Sequence, residues 1–587
     1  MAPLDSSLPP VTRRGMIAGT GVAAGTLALA QTPALAVRPG RKVAVLGGGM
    51  AGLTAAHELA ERGFKVTVFE PSAWGGKARS IPVPNTGRGG RRDLPGEHGF
   101  RFFPGFYHHV PNTMRRIPFG RGTVGDHLVD ATEGKFYRAG GRADGFIFGL
   151  GPDPEQLLTV DGLRKYLTDT LGGSTVPPHE LAWFVTRLLV FLTSCEERRF
   201  KQWEHRSWWD FVGADSRSGE YQTVLASGLT RSLVAARADI ASTRTIGNMG
   251  EAFIMNMMGR GNDGALDRVL DLPTNEAWIN PWMRHLRSLG VRFVKGQRLV
   301  RYEVEKGRIE AAVLRDAKGR RHRFEADWFV SAMPVERARE TLTPAVLRRA
   351  PHLRRLDALK PDWMVGIQYF LRQPIDLTHG HISFIDSPWA ITALTQGQFW
   401  KGRRISRDYG DGKVRDILSV DISNWSEPGI LYKKPAKQCT PAQIAREVLA
   451  QIRAHETAGA QLPDSIIHSW FLDPGIAWNA KRGRNTNATP LLINTVGSWD
   501  DRPEARSGIA NLLLSGDYVR TNIDLATMEG ANESARAAVN AILDERGSRA
   551  ERVQMFQLYR PQEFEALKMV DEQLYKAGLP NALDLPL

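Results

Sequence analysis

"RKVAVLGGGMAGLTAAHELAERGFKVTVFEP", residues 41–71, decides the fold. Lys42–Leu46 is a short apolar run of the buried-strand type, and Met50–Arg62 has helical periodicity and stops at Gly63. Phe64–Phe69 then reads as a second strand, which completes a βαβ unit of a parallel sheet. Gly47, Gly49 and Gly52 fall at the strand-to-helix junction in the spacing G-x-G-x-x-G. The first permits the tight turn, the second lets a diphosphate approach the backbone, and the third lets helix pack closely on strand. The helix N-terminus adds free N–H groups and the positive end of its dipole. Glu70 closes the second strand, where a carboxylate accepts ribose hydroxyls and repels the 2′-phosphate of NADP. NAD and FAD both fit this turn.

The chain has 587 residues, 42% of them hydrophobic and 24% charged, with room for two or more domains. Its first 36 residues have another character. Arg13-Arg14 precede a small-residue apolar run, Met16–Ala30, and Ala34-Leu35-Ala36 supplies an A-x-A cleavage site. The run is shorter than the ~20 residues of a spanning helix. The expectation is a twin-arginine signal peptide over 1–36, read by the twin-arginine export machinery, and a periplasmic, cell-envelope or extracellular protein. The net charge of +14 is compatible with peripheral contact with a membrane, although scattered arginines are more often a solubility feature. No basic tract interleaved with aromatics points to nucleic acid. Cys195 and Cys439 are the only cysteines, which excludes a disulfide-stapled fold. His98, His108 and His109 lack ligand spacing, and no metal is expected.

Farther along, Pro82–Pro95 with its "NTGRGGRRD" centre is a polar Gly/Arg loop. Residues 111–285 are helix-like and tryptophan-rich. Within them Leu181–Leu192 is nearly continuous apolar, by default a core helix and otherwise one wall of a lipophilic channel. Strands are expected at Val291–Val294, Leu299–Val304, Arg308–Arg315 and Asp327–Ala332, and a second sheet from Val365–Leu371, His381–Ile385 and Ile417–Asp421. The last unit is a strand at Asn511–Leu514, then Gly516-Asp517, then a helix from about Met528. An aspartate after a close-approach glycine can accept from a ribityl hydroxyl, and a helix N-terminus suits the pyrimidine edge of a flavin, where negative charge develops on reduction.

Four blocks give the sequence a resemblance to the FAD-dependent amine oxidase superfamily, most of all to its plant-type phytoene and ζ-carotene desaturase branch. They are the glycine turn with Glu70, the run Gly75-Gly76-Lys77-Ala78-Arg79-Ser80, "GEHGFRFFPGFYHH" from Gly96, and "SGDYVRTNIDLATMEGANESARAA" from Ser515. The third is similar to the desaturase pattern E-x-G-x-x-x-F-x-G-x-Y through Glu97, Gly99, Phe103, Gly105 and Tyr107. Arg101 and His108-His109 depart from it, as Ser515 and Ala535 depart from the usual last block. The resemblance implies FAD, bound without a covalent link because no Ser-Gly-Gly-Cys attachment sequence is present. It implies contacts at Gly47, Gly49, Met50, Ala51, Gly52, Glu70, Gly76, Lys77, Arg79, Gly99, Arg101, Phe102, Phe103, Leu299, Val300, Gly516, Asp517 and Met528. Lys77 is expected to point toward the cofactor phosphates.

The fold class that follows is α/β. A Rossmann-type FAD-binding domain, discontinuous over 37–110, 286–345 and 490–545, carries an inserted α+β substrate domain over 111–285 and 346–489, and 546–587 form a helical appendage. The expected activity is removal of hydride from a lipophilic, isoprenoid- or carotenoid-like substrate, of desaturase or dehydroxylase type. The alternatives are a flavin amine oxidase producing hydrogen peroxide and a non-catalytic flavin-binding protein. Trp183, Trp203, Trp208, Trp209, Trp278 and Trp282 suit an apolar cavity but also a core. The segment 385–400, with Trp389 and Trp400, is the expected substrate-side element facing the flavin. No catalytic acid or base is assigned.

Overall fold

Five strands make a parallel sheet in the order Arg292–Lys295, Lys65–Glu70, Lys42–Leu46, Trp328–Ser331, Leu512–Leu514. Val43, Ala44 and Val45 lie between Val66–Val68 on one side and Trp328–Val330 on the other, all but inaccessible to solvent. Strands buried on both faces must be apolar throughout, which is why "KVAVL" shows no alternation. The helices Met50–Glu61 and Met528–Glu545 pack against each other through small residues, among them Ala55, Ala56, Ala535 and Ala538. The structure is a computed structural model that describes residues 41–146, 159–171, 175–228, 230–231 and 236–584. The twin-arginine segment expected at 1–36 lies outside the described residues.

A second sheet has seven strands, in the order Ile467–Leu472, Val365–Leu371, Asp416–Ile422, Ile391–Thr395, Gly380–Phe384, Glu133–Tyr137, Gly145–Phe146. Here alternation is strict and has consequences. Val365, Ile367, Tyr369 and Leu371, with Leu418, Val420 and Ile422 opposite, pack with Ile444, Val448 and Ile452 of the helix Pro441–Arg453. The other face carries Gly366, Gln368, Asp421, Ser419 and Thr392, and turns apolar toward Phe370, Ile417 and Leu394. A third core gathers the helix Pro178–Thr193 with Trp203, Trp208, Phe211 and Tyr221.

The expected strands at 291–294, 299–304, 308–315, 365–371, 381–385, 417–421 and 511–514 are present within one or two residues. Two readings change. The stretch 111–285 is not all helical: Glu133–Tyr137 pairs in parallel with Gly380–Phe384 and joins the second sheet. Its sequence, EGKFY, is too short and mixed to show a period. Among the described residues of 546–587, only Glu565–Lys576 is an α-helix. Before it, residues 551–561 have no regular structure, yet Val553 and Leu558 are buried in two different cores. No helix among the described residues is long and apolar enough to cross a membrane.

Candidate cofactor and substrate site

The first strand, the strand Trp328–Ser331 and the strand Leu512–Leu514 end side by side, and their loops make a floor of close backbone. A Cβ on Gly52 would collide with the carbonyl oxygen of Gly47, and one on Gly47 with that of Ala332. Gly49 and Gly76 approach so closely that a Cβ on Gly76 would lie 2.9 Å from Gly49 Cα. Gly75 N–H also donates to Gly48 O at 2.8 Å, which fixes the second block beside the first. Ser515 N–H donates to Ser331 O at 2.9 Å, and Gly516 N–H to Ser534 Oγ at 2.9 Å. The turn therefore brings Gly47, Gly49, Met50, Ala51, Gly52 and Gly76 together, with Gly516 near Met333 across the gap. Such a cradle, bare of side chains at the start of a helix, fits a diphosphate.

Glu70 is buried and already engaged. Oε2 accepts from Gly48 N–H at 2.9 Å, while Oε1 accepts from Ser72 N–H at 2.8 Å, Ser72 Oγ at 2.9 Å and Ala73 N–H at 3.3 Å. Oε2 keeps one lone pair free for a ribose hydroxyl. Val300 falls in a register shift between Leu299 and Arg301, so it has no partner residue across from it in the ladder with 308–316. The Asp517 carboxylate takes no hydrogen bond from the described residues. Its backbone oxygen accepts from Arg502 Nη2 at 3.2 Å. Met528 opens the last helix, and the Thr527 side chain caps it by accepting from Gly530 N–H at 3.0 Å. The N–H groups before that cap-bonded position are left for a ligand.

Lys77 and Arg79 adopt partners within the protein. Lys77 Nζ donates to Pro490 O and meets Glu336 Oε1 at 3.5 Å, and Arg79 donates to Gly76 O. Nothing local in the sequence marks Glu336. Burial raises its carboxyl pKa, Lys77 works against that, and Asp517 adds to it.

The third block runs from this floor to the second sheet. Glu97 receives Ser80 Oγ at 2.9 Å, Thr274 N–H at 3.0 Å and Thr274 Oγ1 at 2.9 Å. Arg101 Nε lies 3.9 Å from Glu97 Oε2 without a hydrogen bond, and its guanidinium also meets Gly99 O. Burial lowers the Arg101 pKa, while Glu97 and Asp421 counter it. Asp421, on the polar face of the second sheet, fills the space where Gly99 lacks a side chain: a Cβ there would stand 2.6 Å from Oδ1. Burial pushes the Asp421 carboxyl up to about 7 against the opposing charge of Arg101, and Oδ1 has no hydrogen-bond partner. Beside it, His381 Nδ1 and Asp267 Oδ2 are 2.5 Å apart, and Phe102 packs edge-on against His381 and stacks on Phe253. Phe103 is buried in the main core against Trp278. Asp421, His381 and Asp267 come from distant segments and could not be singled out from sequence.

The departures at His108-His109 also acquire a use. Glu529 accepts from the N–H groups of His108, His109 and Val110 at 2.6–2.9 Å and from His109 Nδ1 at 2.8 Å. It caps the helix His109–Arg115 and staples the third block to the fourth. Burial alone would raise the Glu529 pKa, but these donors hold it below the ordinary carboxylate value.

A small cavity adjoins Arg101. Val269, Leu270, Leu272, Leu394, Phe399 and Trp400 wall it, with Glu97, Thr274 and Gln396 at its polar side. Of the segment 385–400, Trp400 reaches this wall, whereas Trp389 belongs to the second-sheet core. Leu181–Leu192, Trp203 and Trp208 are core, as are Trp278 and Trp282, which stack at 5.9 Å. The large rings satisfied packing first.

Among the described residues His57, Glu61 and His285 bring potential metal-ligand atoms within 4.8 Å of one another. Trp282 Nε1–H donates to His57 Nδ1 at 3.1 Å, and His57 Nε2 lies 3.1 Å from Glu61 Oε1 without a hydrogen bond. Arg116 holds the other Glu61 oxygen at 2.6 Å. Trp282 and Arg116 thus already engage His57 and Glu61.

The sequence matches the family of flavin-containing amine oxidoreductases over residues 50–543. The chain belongs to that family. It is an FAD-dependent oxidoreductase with the amine-oxidase fold. It is similar to the carotenoid phi-ring synthase of Chlorobaculum tepidum, 27% identical over 277 residues, which are 47% of this chain and 40% of that protein. The chain thus spans less than half the length of the curated relatives it matches. Among solved structures it is similar to putrescine oxidase bound to putrescine, with a TM-score of 0.55 at 12% identity, covering 86% of this chain and 99% of that one. It is also similar to the cyclohexylamine oxidase of Brevibacterium oxydans, with a TM-score of 0.52 at 15% identity and the same coverage. At those identities the likeness is one of fold.

Proposed function

We propose that this oxidoreductase binds FAD without a covalent link and removes hydride from a lipophilic, isoprenoid- or carotenoid-like substrate, in a desaturation or dehydroxylation. The cavity carries this reading. Six of its ten lining residues are apolar, and the cationic side chain that lines it is Arg101, which disfavours an ammonium group. The charge of Glu97 is already met by Arg101, whose Nε stands 3.9 Å from Oε2, while Ser80 and Thr274 donate to its oxygens. The similarity to a carotenoid-modifying protein supports the same substrate class.

The residues fit the cofactor as follows. The Gly47–Gly52 turn and its helix would receive the diphosphate, Glu70 a ribose hydroxyl, the open backbone at Val300 a further polar edge, and Asp517 a ribityl hydroxyl. The N-terminus at Met528 would meet the pyrimidine edge. FAD, when bound, supplies the two-electron acceptor. The chain supplies the rest: Leu272, Leu394, Phe399 and Trp400 exclude water and orient an apolar chain. Glu97 and Arg101 place a carboxylate and a guanidinium at the polar end.

The test is anaerobic flavin reduction, with isoprenoids in liposomes set against soluble amines. Isoprenoids should reduce the flavin faster. Rapid reduction by a simple amine in buffer, rising through the amine's pKa and followed by hydrogen peroxide on adding oxygen, would establish the amine-oxidase reading instead. Export by the twin-arginine route belongs to the proposal. Changing Arg13 and Arg14 together to Lys should retain uncut, flavin-loaded protein in the cytoplasm, and protein cut after Ala36 beyond the inner membrane would overturn that route.

A further inference from the structure

The Gly/Arg loop at Pro82–Pro95 plays no part in the site. Thr86 and Gly87 N–H groups donate to Asp93 at 2.9 and 2.8 Å, which turns the loop's acid inward and leaves Arg88 and Arg92 exposed. The loop docks along a second basic segment. Arg88 N–H donates to Gly410 O and Arg92 N–H to Asp408 O, both at 3.0 Å. From Lys401 to Arg415 that segment carries six cations, so the docked pair presents nine Lys or Arg against three acids, Asp93, Asp408 and Asp411. Arg88, Arg91, Lys401, Arg404 and Arg415 make no ion pair among the described residues.

This face adjoins the cavity. Phe399 and Trp400 form its wall, and exposed Lys401 follows directly. Arg403 Nη2 at 3.1 Å, Tyr409 Oη at 2.8 Å and Arg92 converge on Glu276, two residues beyond the wall residue Thr274. The aromatics of the segment, Phe399, Trp400 and Tyr409, are buried, so no ring is offered for stacking on nucleic-acid bases. Unpaired guanidinium and ammonium groups spread over two docked segments match a surface of many fixed phosphates.

We propose that this face docks the protein on an anionic lipid bilayer and holds the cavity beside the phase that dissolves its substrate. The proposal rests on the lipophilic-substrate reading for its purpose, but its test does not require turnover. The flavin-loaded chain is mixed with vesicles of phosphatidylcholine alone or with an equal part of phosphatidylglycerol, and bound protein is measured by co-sedimentation. Binding should need phosphatidylglycerol and fall in high salt. The triple variant Arg88→Gln, Arg404→Gln, Arg415→Gln should lose about 100-fold in partition, at roughly fivefold per cation. Arg88→Lys, Arg404→Lys, Arg415→Lys should keep most of the binding, which separates loss of charge from misfolding. Equal binding to both vesicles, no binding to either, or a Gln variant that binds like the parent would overturn the proposal. Reduction of the flavin by a soluble amine would remove the substrate reading and leave the vesicle result standing by itself.

Discussion

The parallel sheet keeps its strands apolar and leaves the chemistry to the loops at strand ends, where Gly47, Gly76, Ala332 and Gly516 crowd together. The seven-stranded sheet carries chemistry on its strands, with one face packed under Pro441–Arg453 and the other showing Gln368, Ser419, Asp421 and Thr392. The difference follows from how each is covered. The parallel sheet is buried by the helices Met50–Glu61 and Met528–Glu545 on one face and by the antiparallel strands Gln297–Glu305, Arg308–Asp316 and Arg321–Glu325 on the other, so few polar side chains lie within it. The seven-stranded sheet buries its polar face as well, but against the third block, where Gly366 lies on His98 and Gly99 and Gln368 accepts from Glu97 N–H. The first kind of site is made of backbone and tolerates almost no added atom; the second is made of side chains and is tuned by burial and charge.

The largest effect should come from Gly52→Ala. Its methyl meets backbone, not a movable side chain, so the turn must deform at a cost of about 3 kcal/mol. Purified protein should be colourless and melt well below the parent; full flavin content would show that the turn is not the cofactor floor.

Next come two carboxylates that separate fold from cofactor. Glu70→Ala should weaken flavin binding by about 1.5–3 kcal/mol and also lower the melting temperature of the flavin-free chain, because Gly48, Ser72 and Ala73 lose their acceptor. Asp517→Ala should weaken flavin binding by at least as much and leave the flavin-free melting temperature nearly unchanged, since no protein donor among the described residues depends on that carboxylate. Flavin titration and melting curves on both variants decide the matter. The same fall in apo-protein stability for both would erase the distinction.

The smallest effect is a pH dependence on the other sheet. Asp421 holds its proton up to about 7 in the fold, against an ordinary 3.8. The folded state therefore binds more protons than the unfolded state between those values. This stabilising contribution is complete below about 3.8 and is lost as pH rises toward 7. Asp421→Asn removes the titration, so its melting temperature relative to the parent should climb from pH 5 to pH 8. A constant difference would mean that Arg101 keeps the carboxylate ionised throughout.

Sequence alone determined the dinucleotide half. Glycine spacing, a strand of unbroken apolar residues and an acid at the next strand's end are local consequences of backbone geometry, and they stand within residues 41–71. Gly516-Asp517 and the helix at Met528 were legible for the same reason. Only the tertiary structure decided the rest. Asp421 and His381 become neighbours because strands distant in the chain pair in one register, Arg101 and Asp267 reach them from loops, and Glu336 reaches Lys77 only across the fold. Whether a tryptophan lines the cavity, as Trp400 does, or packs a core, as Trp278 and Trp389 do, is equally invisible in sequence. All three are buried hydrophobic surface, and which surface each one covers is fixed by its partners.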